Sequence, residues 1–345
     1  MRRLLVVLIL ALVTVGWPAA TVSAAGHAAT APGAGGSLQA DFDNDSFVDL
    51  AVGVPHEAIG TATAAGAVNV LYGSAGGLTG TGSKAFWQGT GGAAGALEGD
   101  DRFGAALAAG DFNDNGFADL AVGVPLQSIG GIGFTGEVDV LYGSAGGLSG
   151  TGSQQWSQAS PGVVGTAEPG DEFGRALTAG DFNNNGSADL AIGVPFEDIG
   201  AIRDAGVVNL LYGSAGGLSA AGNQQFQQGT GGVAGRAEAD DWFAFALSAG
   251  DFNSNGSADL AIGVPLEDVG TIGEAGAVNV LYGSAGGLGS AGNQQFWQGP
   301  GGAAGTLEAG DWFGLALAGP DPATGAAAAS SRSQLGMTRP VPSER

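Results

Sequence analysis

The sequence contains no cysteine, which excludes disulfide bonds, thiolate metal sites and a thiol nucleophile. Positive charge is scarce as well: 10 Lys and Arg stand against 33 Asp and Glu, a formal net charge of -23. A surface of that sign is repelled by phosphate backbones and anionic headgroups, so it argues against nucleic acid and suits a cation or a basic partner. Only two histidines occur. His27 lies near the start of the chain and His56 in a single-copy loop position, so neither has the setting of a catalytic base. Long apolar runs are missing apart from Leu4–Trp17, whose 14 residues fall short of the roughly 20 that a membrane-spanning helix needs. This run follows Arg2 and Arg3 and ends at Pro18, and Val22-Ser23-Ala24 then offers the small residues a signal peptidase inspects. The expectation is a secreted, extracellular protein with a signal peptide at 1–24, a flexible segment at 25–36 and no stable membrane insertion.

Glycine, by contrast, is abundant at 68 residues, and its placement is periodic. Asp41, Asp111, Asp181 and Asp251 each open a near-identical segment at a spacing of 70 residues. Tyr72, Tyr142, Tyr212 and Tyr282 hold the same register within Leu-Tyr-Gly-Ser-Ala-Gly-Gly-Leu, as do Phe103, Phe173, Phe243 and Phe313, each two residues after an Asp. Such a period is the mark of a repeat architecture. Each repeat is predicted to form four short strands, in the second copy Phe103–Phe112, Asp119–Pro125, Glu137–Tyr142 and Gln154–Gln158 around Trp156. In Asp119–Pro125, Leu120, Val122 and Val124 fall on one face and the small Ala121 and Gly123 on the other, which would let a neighbouring sheet approach closely. Four antiparallel strands at a fixed period predict an all-β chain of β-propeller blades; solenoid repeats are usually shorter, about 20–45 residues. The blades are expected at 37–99, 100–169, 170–239 and 240–309, with a partial unit at 310–319. Residues 320–345, rich in Ala, Ser and Pro and without periodicity, read as a disordered tail.

Between the first two strands of each repeat lies the segment that carries chemistry. In the first copy oxygen-bearing side chains occupy positions 1, 3, 5 and 9 of a nine-residue loop: Asp41, Asp43, Asp45 and Asp49. Asp111, Asn113, Asn115 and Asp119 follow in the second copy, Asp181, Asn183, Asn185 and Asp189 in the third, and Asp251, Asn253, Asn255 and Asp259 in the fourth. A tight loop with alternate residues turned inward supplies the oxygens that a hard cation such as calcium requires. The position-7 backbone carbonyl, of Phe47, Phe117, Ser187 or Ser257, is a natural further ligand. Up to four calcium sites are therefore expected. The loops are not EF-hands, because position 12 carries Val52, Val122, Ile192 or Ile262 in place of a bidentate Glu. With four carboxylates against two in each other copy, the first site should bind most tightly, although Ser46 replaces the glycine found at position 6 elsewhere.

Taken together, Phe103-Gly104, Phe173-Gly174 and Phe313-Gly314, the Gly-Val-Pro triplets at Gly53, Gly123, Gly193 and Gly263, and the four acidic loops resemble the FG-GAP repeat, the blade unit of integrin α-subunit heads and of bacterial secreted proteins. The resemblance covers roughly residues 37–319 and implies calcium-stabilised binding of an extracellular protein or glycan, without catalysis. Three features depart from the pattern: Ala244 follows Phe243, the first copy lacks a Phe-Gly strand, and four complete loops stand where the family usually has seven blades. The alternatives are a truncated remnant of a seven-blade protein, or a non-catalytic accessory part of a secreted hydrolase system. The fifth unit could complete the first blade and close a ring of four; an open propeller should self-associate. The loops after Gly-Val-Pro, at His56-Glu57, Leu126-Gln127, Phe196-Glu197-Asp198 and Leu266-Glu267-Asp268, suit ligand contact by their variability, but merely solvated loops are the more frequent explanation of such segments. The segments around Trp87, Trp156 and Trp297 read as blade packing.

Overall fold

A computed structural model describes residues 40–89 and 92–318; the expected signal peptide, the segment 25–36 and the tail 320–345 lie outside the described residues. The described residues hold strands and turns and no helix. The first sheet has three strands, β1 (Leu50–Val54), β2 (Ala67–Leu71) and β3 (Lys84–Phe86). The second has four: β4 (Ala106–Gly110), β5 (Asp119–Val124), β6 (Glu137–Tyr142) and β7 (Ser149–Trp156). The third repeats them as β8 (Ala176–Gly180), β9 (Asp189–Val194), β10 (Val207–Tyr212) and β11 (Ser219–Phe226). The fourth does so as β12 (Ala246–Gly250), β13 (Asp259–Val264), β14 (Ala277–Tyr282) and β15 (Gly289–Phe296). Each sheet is an antiparallel meander in chain order, the arrangement of a β-propeller blade.

Local sequence accounts for the strand limits. β5 begins at the last residue of the acidic loop and stops before Pro125, which has no N–H to give to a ladder. Its register with β4 pairs Ala106 with Gly123 and Gly110 with Asp119, so the acidic loop is the connection of a hairpin. Two predicted strands need correction. The first is shorter than Phe103–Phe112, because Phe103-Gly104 docks on the preceding blade: Phe103 N donates to Ala65 O at 2.9 Å, and Phe173 N to Thr135 O at 2.9 Å. The fourth starts at Ser149, five residues before the prediction. β7 is an edge strand exposed on much of both faces, so it lacks the apolar alternation that would reveal it, and a register shift between Val140 and Tyr142 offsets its pairing.

Blades pack through their first strands, β4 on β8 and β8 on β12. Buried clusters straddle each junction; one holds Phe112, Ala121, Val138 and Val140 of the second blade with Phe173, Leu177 and Ile192 of the third. The small-residue face predicted on Asp119–Pro125 is what permits this. A methyl group on Gly123 would lie 2.2 Å from the Gly174 carbonyl oxygen, and one on Gly193 2.3 Å from that of Ala244. Ala244, the departure from Phe-Gly, keeps the backbone of its counterparts: its φ is 69°, beside 87° at Gly174 and 93° at Gly314. It holds a left-handed conformation that disfavours a side chain.

Candidate metal centres

Each acidic loop is folded by its own side chains. The position-1 carboxylate caps the turn: Asp41 accepts from Asp45 N at 3.1 Å and Ser46 N at 2.8 Å, and Asp111 from Asn115 N at 3.0 Å and Gly116 N at 2.8 Å. Asp181 and Asp251 do the same, each with bonds of 3.0 and 2.9 Å. The position-9 carboxylate ties the loop to the sheet. Asp49 accepts from Phe42 N and from Gly73 N, both at 2.8 Å, while Asp119, Asp189 and Asp259 repeat the pair with Gly143, Gly213 and Gly283. Position 5 accepts from the position-7 N–H, as Asp45 does from Phe47, Asn115 from Phe117, Asn185 from Ser187 and Asn255 from Ser257. At position 6, Ser46 adopts φ 73° where Gly116 has 85°, so the first loop carries the left-handed residue its sequence implied.

The loops differ in charge. Asp41, Asp43 and Asp49 each bring a carboxylate oxygen within 4.8 Å of the others. Asp45 stands outside this trio, exposed and bonded to Phe47 N. In the second loop Asn113 and Asn115 join Asp111 and Asp119. Asn115 Nδ2 donates to Gly143 O at 3.2 Å while its Oδ1 accepts from Phe117 N; Asn185 and Asn255 are oriented likewise by Gly213 and Gly283. In the third and fourth loops the position-3 side chains, Asn183 and Asn253, reach Asp189 and Asp259. Burial pushes Asp49 up to about 6, and Asp119 and Asp189 up to about 7, against the pull of their N–H partners. Burial also raises Asp43, with Asp45 and Asp41 adding to the rise. Crowded, partly desolvated carboxylates of this kind hold charge at a cost that a divalent cation offsets, and an all-oxygen donor set matches a hard cation. The residues present fit calcium.

Two acidic side chains after Gly-Val-Pro join neighbouring blades, while Glu57, Asp198 and Asp268 of the same loops are exposed. Glu197 and Glu267 are buried and accept from the preceding blade, Gln158 Nε2 to Glu197 and Gln228 Nε2 to Glu267, both at 2.7 Å. At the first junction the same role falls to Glu137 and Asp139 on β6, each 3.0 Å from Gln88 Nε2. Glu137 and Asp139 alternate with Val138 and Val140 along β6, yet both acids are buried. Gln88, Gln158 and Gln228 recur at the 70-residue spacing, and that recurrence was the available signal. Of the tryptophans, Trp156 stands opposite Val138 in the outermost pair, a blade-packing position as expected.

The junction carboxylates also set a pH dependence. Burial pushes Asp171 and Asp241 up to about 8, with acidic neighbours adding (Glu197, Glu168 and Asp198 for the first, Glu267, Glu238 and Asp268 for the second). Each accepts one backbone bond, from Glu168 N at 2.5 Å and from Glu238 N at 2.6 Å. A carboxyl raised by folding binds its proton more tightly in the native state. The stability it adds is complete below the unfolded value of 3.8 and is lost as pH rises through about 8. Thermal unfolding without divalent cations should therefore show a falling melting temperature between pH 5 and pH 8. Asp171→Asn and Asp241→Asn should each reduce the stability lost between pH 5 and pH 8 by about 1 kcal/mol after solvent screening. An unchanged slope in the double variant would assign the dependence elsewhere.

The FG-GAP repeat model matches residues 103–141, 173–210 and 243–281, each span running from a docking phenylalanine through one acidic loop into the third strand. Phosphatidylinositol-glycan-specific phospholipase D of Rattus norvegicus is 34% identical over 177 residues, which is 50% of this chain and 20% of that protein. Integrin alpha-5 of Xenopus laevis is 28% identical over 229 residues, 65% of this chain and 19% of that one. The match thus spans about a fifth of the length of these curated relatives. Among solved structures, an exotype rhamnogalacturonan lyase aligns over 86% of this chain at 11% identity with a TM-score of 0.39.

Proposed function

We propose that this chain, which carries three stretches matching the FG-GAP repeat, is a secreted binding module whose blades are held in register by calcium. The observation that carries the calcium reading is the convergence of Asp41, Asp43 and Asp49, in a loop whose fold recurs three more times in the same register. The cation would be held by positions 1, 3, 5 and 9 with the position-7 carbonyl, and would supply structural charge compensation. The blades then present an extracellular protein or glycan with a rigid set of loops. Secretion is proposed from Arg2-Arg3, the Leu4–Trp17 run and the small residues ending at Ala24.

Calorimetric titration of the protein with calcium tests this. Expected are up to four sites with Kd of about 10⁻⁴–10⁻³ M, the range of extracellular modules. The tightest should weaken toward the other three in Asp43→Asn, which gives position 3 the amide that those loops carry and removes a carboxylate from the Asp41, Asp43 and Asp49 trio. Absence of binding at millimolar calcium would refute the proposal, and an unchanged tightest site in Asp43→Asn would refute the ranking of the loops.

A further inference from the structure

The junctions between blades repeat one contact, and its two halves lie exposed at opposite ends of the described chain. At each junction the earlier blade offers the position-1 and position-2 carbonyls of its acidic loop. Ala188 N donates to Asp111 O at 2.9 Å and Ser214 N to Phe112 O at 3.2 Å, and Ala258 and Ser284 treat Asp181 and Phe182 alike. Further out, Leu218 N donates to Gln154 Oε1 at 3.0 Å and Gln154 Nε2 to Leu218 O at 3.1 Å. Contacts of this kind bury Phe42, Phe112 and Phe182 completely, and leave Leu148, Leu218 and Leu288 no more than 3% exposed.

At the fourth blade this face is open. Phe252, the counterpart of Phe182, is 46% exposed, and Gln294, the counterpart of Gln154, is exposed as well. Phe252, Val280, Tyr282, Gln294, Phe296 and Leu317 line a groove of about 400 Å³ there. The first blade carries the other half. Leu78, the counterpart of Leu218, is 51% exposed, Val48 at the Ala188 position is 46% exposed, and Glu57 at the Glu197 position is exposed.

We propose that the open face of the fourth blade docks the first blade of a second copy of this chain, repeating the internal junction between molecules. The second copy would bring Leu78 against Tyr282 and Gln294, Glu57 to Gln298, and the Val48 and Ser74 N–H groups to the Asp251 and Phe252 carbonyls. Phe313–Ala318 already follows the course of Phe173–Thr178: Phe313 N donates to Ala275 O at 2.9 Å, and a methyl on Gly263 would meet Gly314 O at 2.0 Å. Its Phe-Gly-Leu-Ala-Leu-Ala repeats Phe103–Ala108 with one change, so it suits the edge of β1, which has β2 as its only strand neighbour among the described residues. The contact is heterologous, and such contacts form rings when the rotation closes. Two copies of four blades make eight, at the top of the range of about four to eight that propellers use.

Light scattering on the eluting full chain at micromolar concentration, in millimolar calcium, tests this. The expected result is twice the chain mass. Leu78→Asp and Phe252→Asp should each give the single-chain mass, because each removes one half of every junction and weakens association at least about tenfold. Mixing the two variants restores one intact junction and should return a species of twice the chain mass. Both side chains are exposed in the single chain, and circular dichroism with melting curves verifies the fold; Leu78→Ser and Phe252→Ser are a milder pair should either fail. A wild-type protein that stays at the single-chain mass overturns the proposal, as closure upon its own first blade or cover by further blades would produce. A dimer that survives both substitutions, or variants whose mixture stays single, overturns it as well.

Discussion

Millimolar calcium is expected to raise the melting temperature by about 1–6 °C for each loop, and a chelator to remove that gain. A cation that binds only the folded chain at one to ten times its Kd adds about 0.4–1.4 kcal/mol, and a domain of this size moves about 2–4 °C per kcal/mol. Magnesium should give much less, since it requires a small octahedral shell and dehydrates reluctantly. Asp49→Ala should abolish the first loop's share and also lower stability without calcium, because Asp49 holds both Phe42 N and Gly73 N in place. Asp43→Ala should lose the first loop's share of the calcium response with little cost in chelator, since Asp43 accepts one longer bond, 3.3 Å from Asp45 N. The difference between these variants separates metal ligation from turn formation. If calcium leaves the melting temperature unmoved, the loops are turns capped by Asp41 and its counterparts, and nothing more.

Gly123→Ala is expected to destabilise the protein by about 3 kcal/mol or more, the upper end of overpacking costs. The argument is steric, since Gly123 lies within β5 with an ordinary strand backbone. Its added methyl would meet the Gly174 carbonyl oxygen at 2.2 Å and Ala106 Cβ at 3.2 Å. The first contact is with backbone of the same tight junction and cannot be relieved by rotating a side chain. Gly133→Ala is the matched control: a methyl there meets nothing within 4 Å, and Gly133 does not hold a positive φ. It should change stability by less than about 0.5 kcal/mol. Denaturant unfolding of the pair checks both, and equal midpoints would show that the junction is looser than described.

The parts of this architecture that were legible in the sequence are those decided within one repeat. The strand Glu137–Tyr142 lies where its alternation placed it. The acidic loops form because Asp and Asn at fixed positions bond to N–H groups a few residues away, an interaction that a linear pattern displays. The small face of β5 was readable because Ala121 and Gly123 leave room for a neighbour. What escaped depends on that neighbour. Glu197 resembles any exposed loop acid until Gln158 of the preceding blade is brought over it. Asp139 looks solvated for the same reason, yet it is fully buried and its carboxyl is held well above the usual range by that burial. The outer strand from Ser149 was hidden because an edge strand needs no apolar face.

The bonds from Ala188 N to Asp111 O and from Ala258 N to Asp181 O join each acidic loop directly to the next blade. Order in one loop is therefore passed to its successor, and the propeller behaves as a chain of nearest-neighbour couplings. A cation lost from one loop would loosen the shelf on which the following blade rests. In the single chain, melting should then advance as a front from the fourth blade, where the coupling has no successor, and occupation of the acidic loops would set how far that front travels before it stalls.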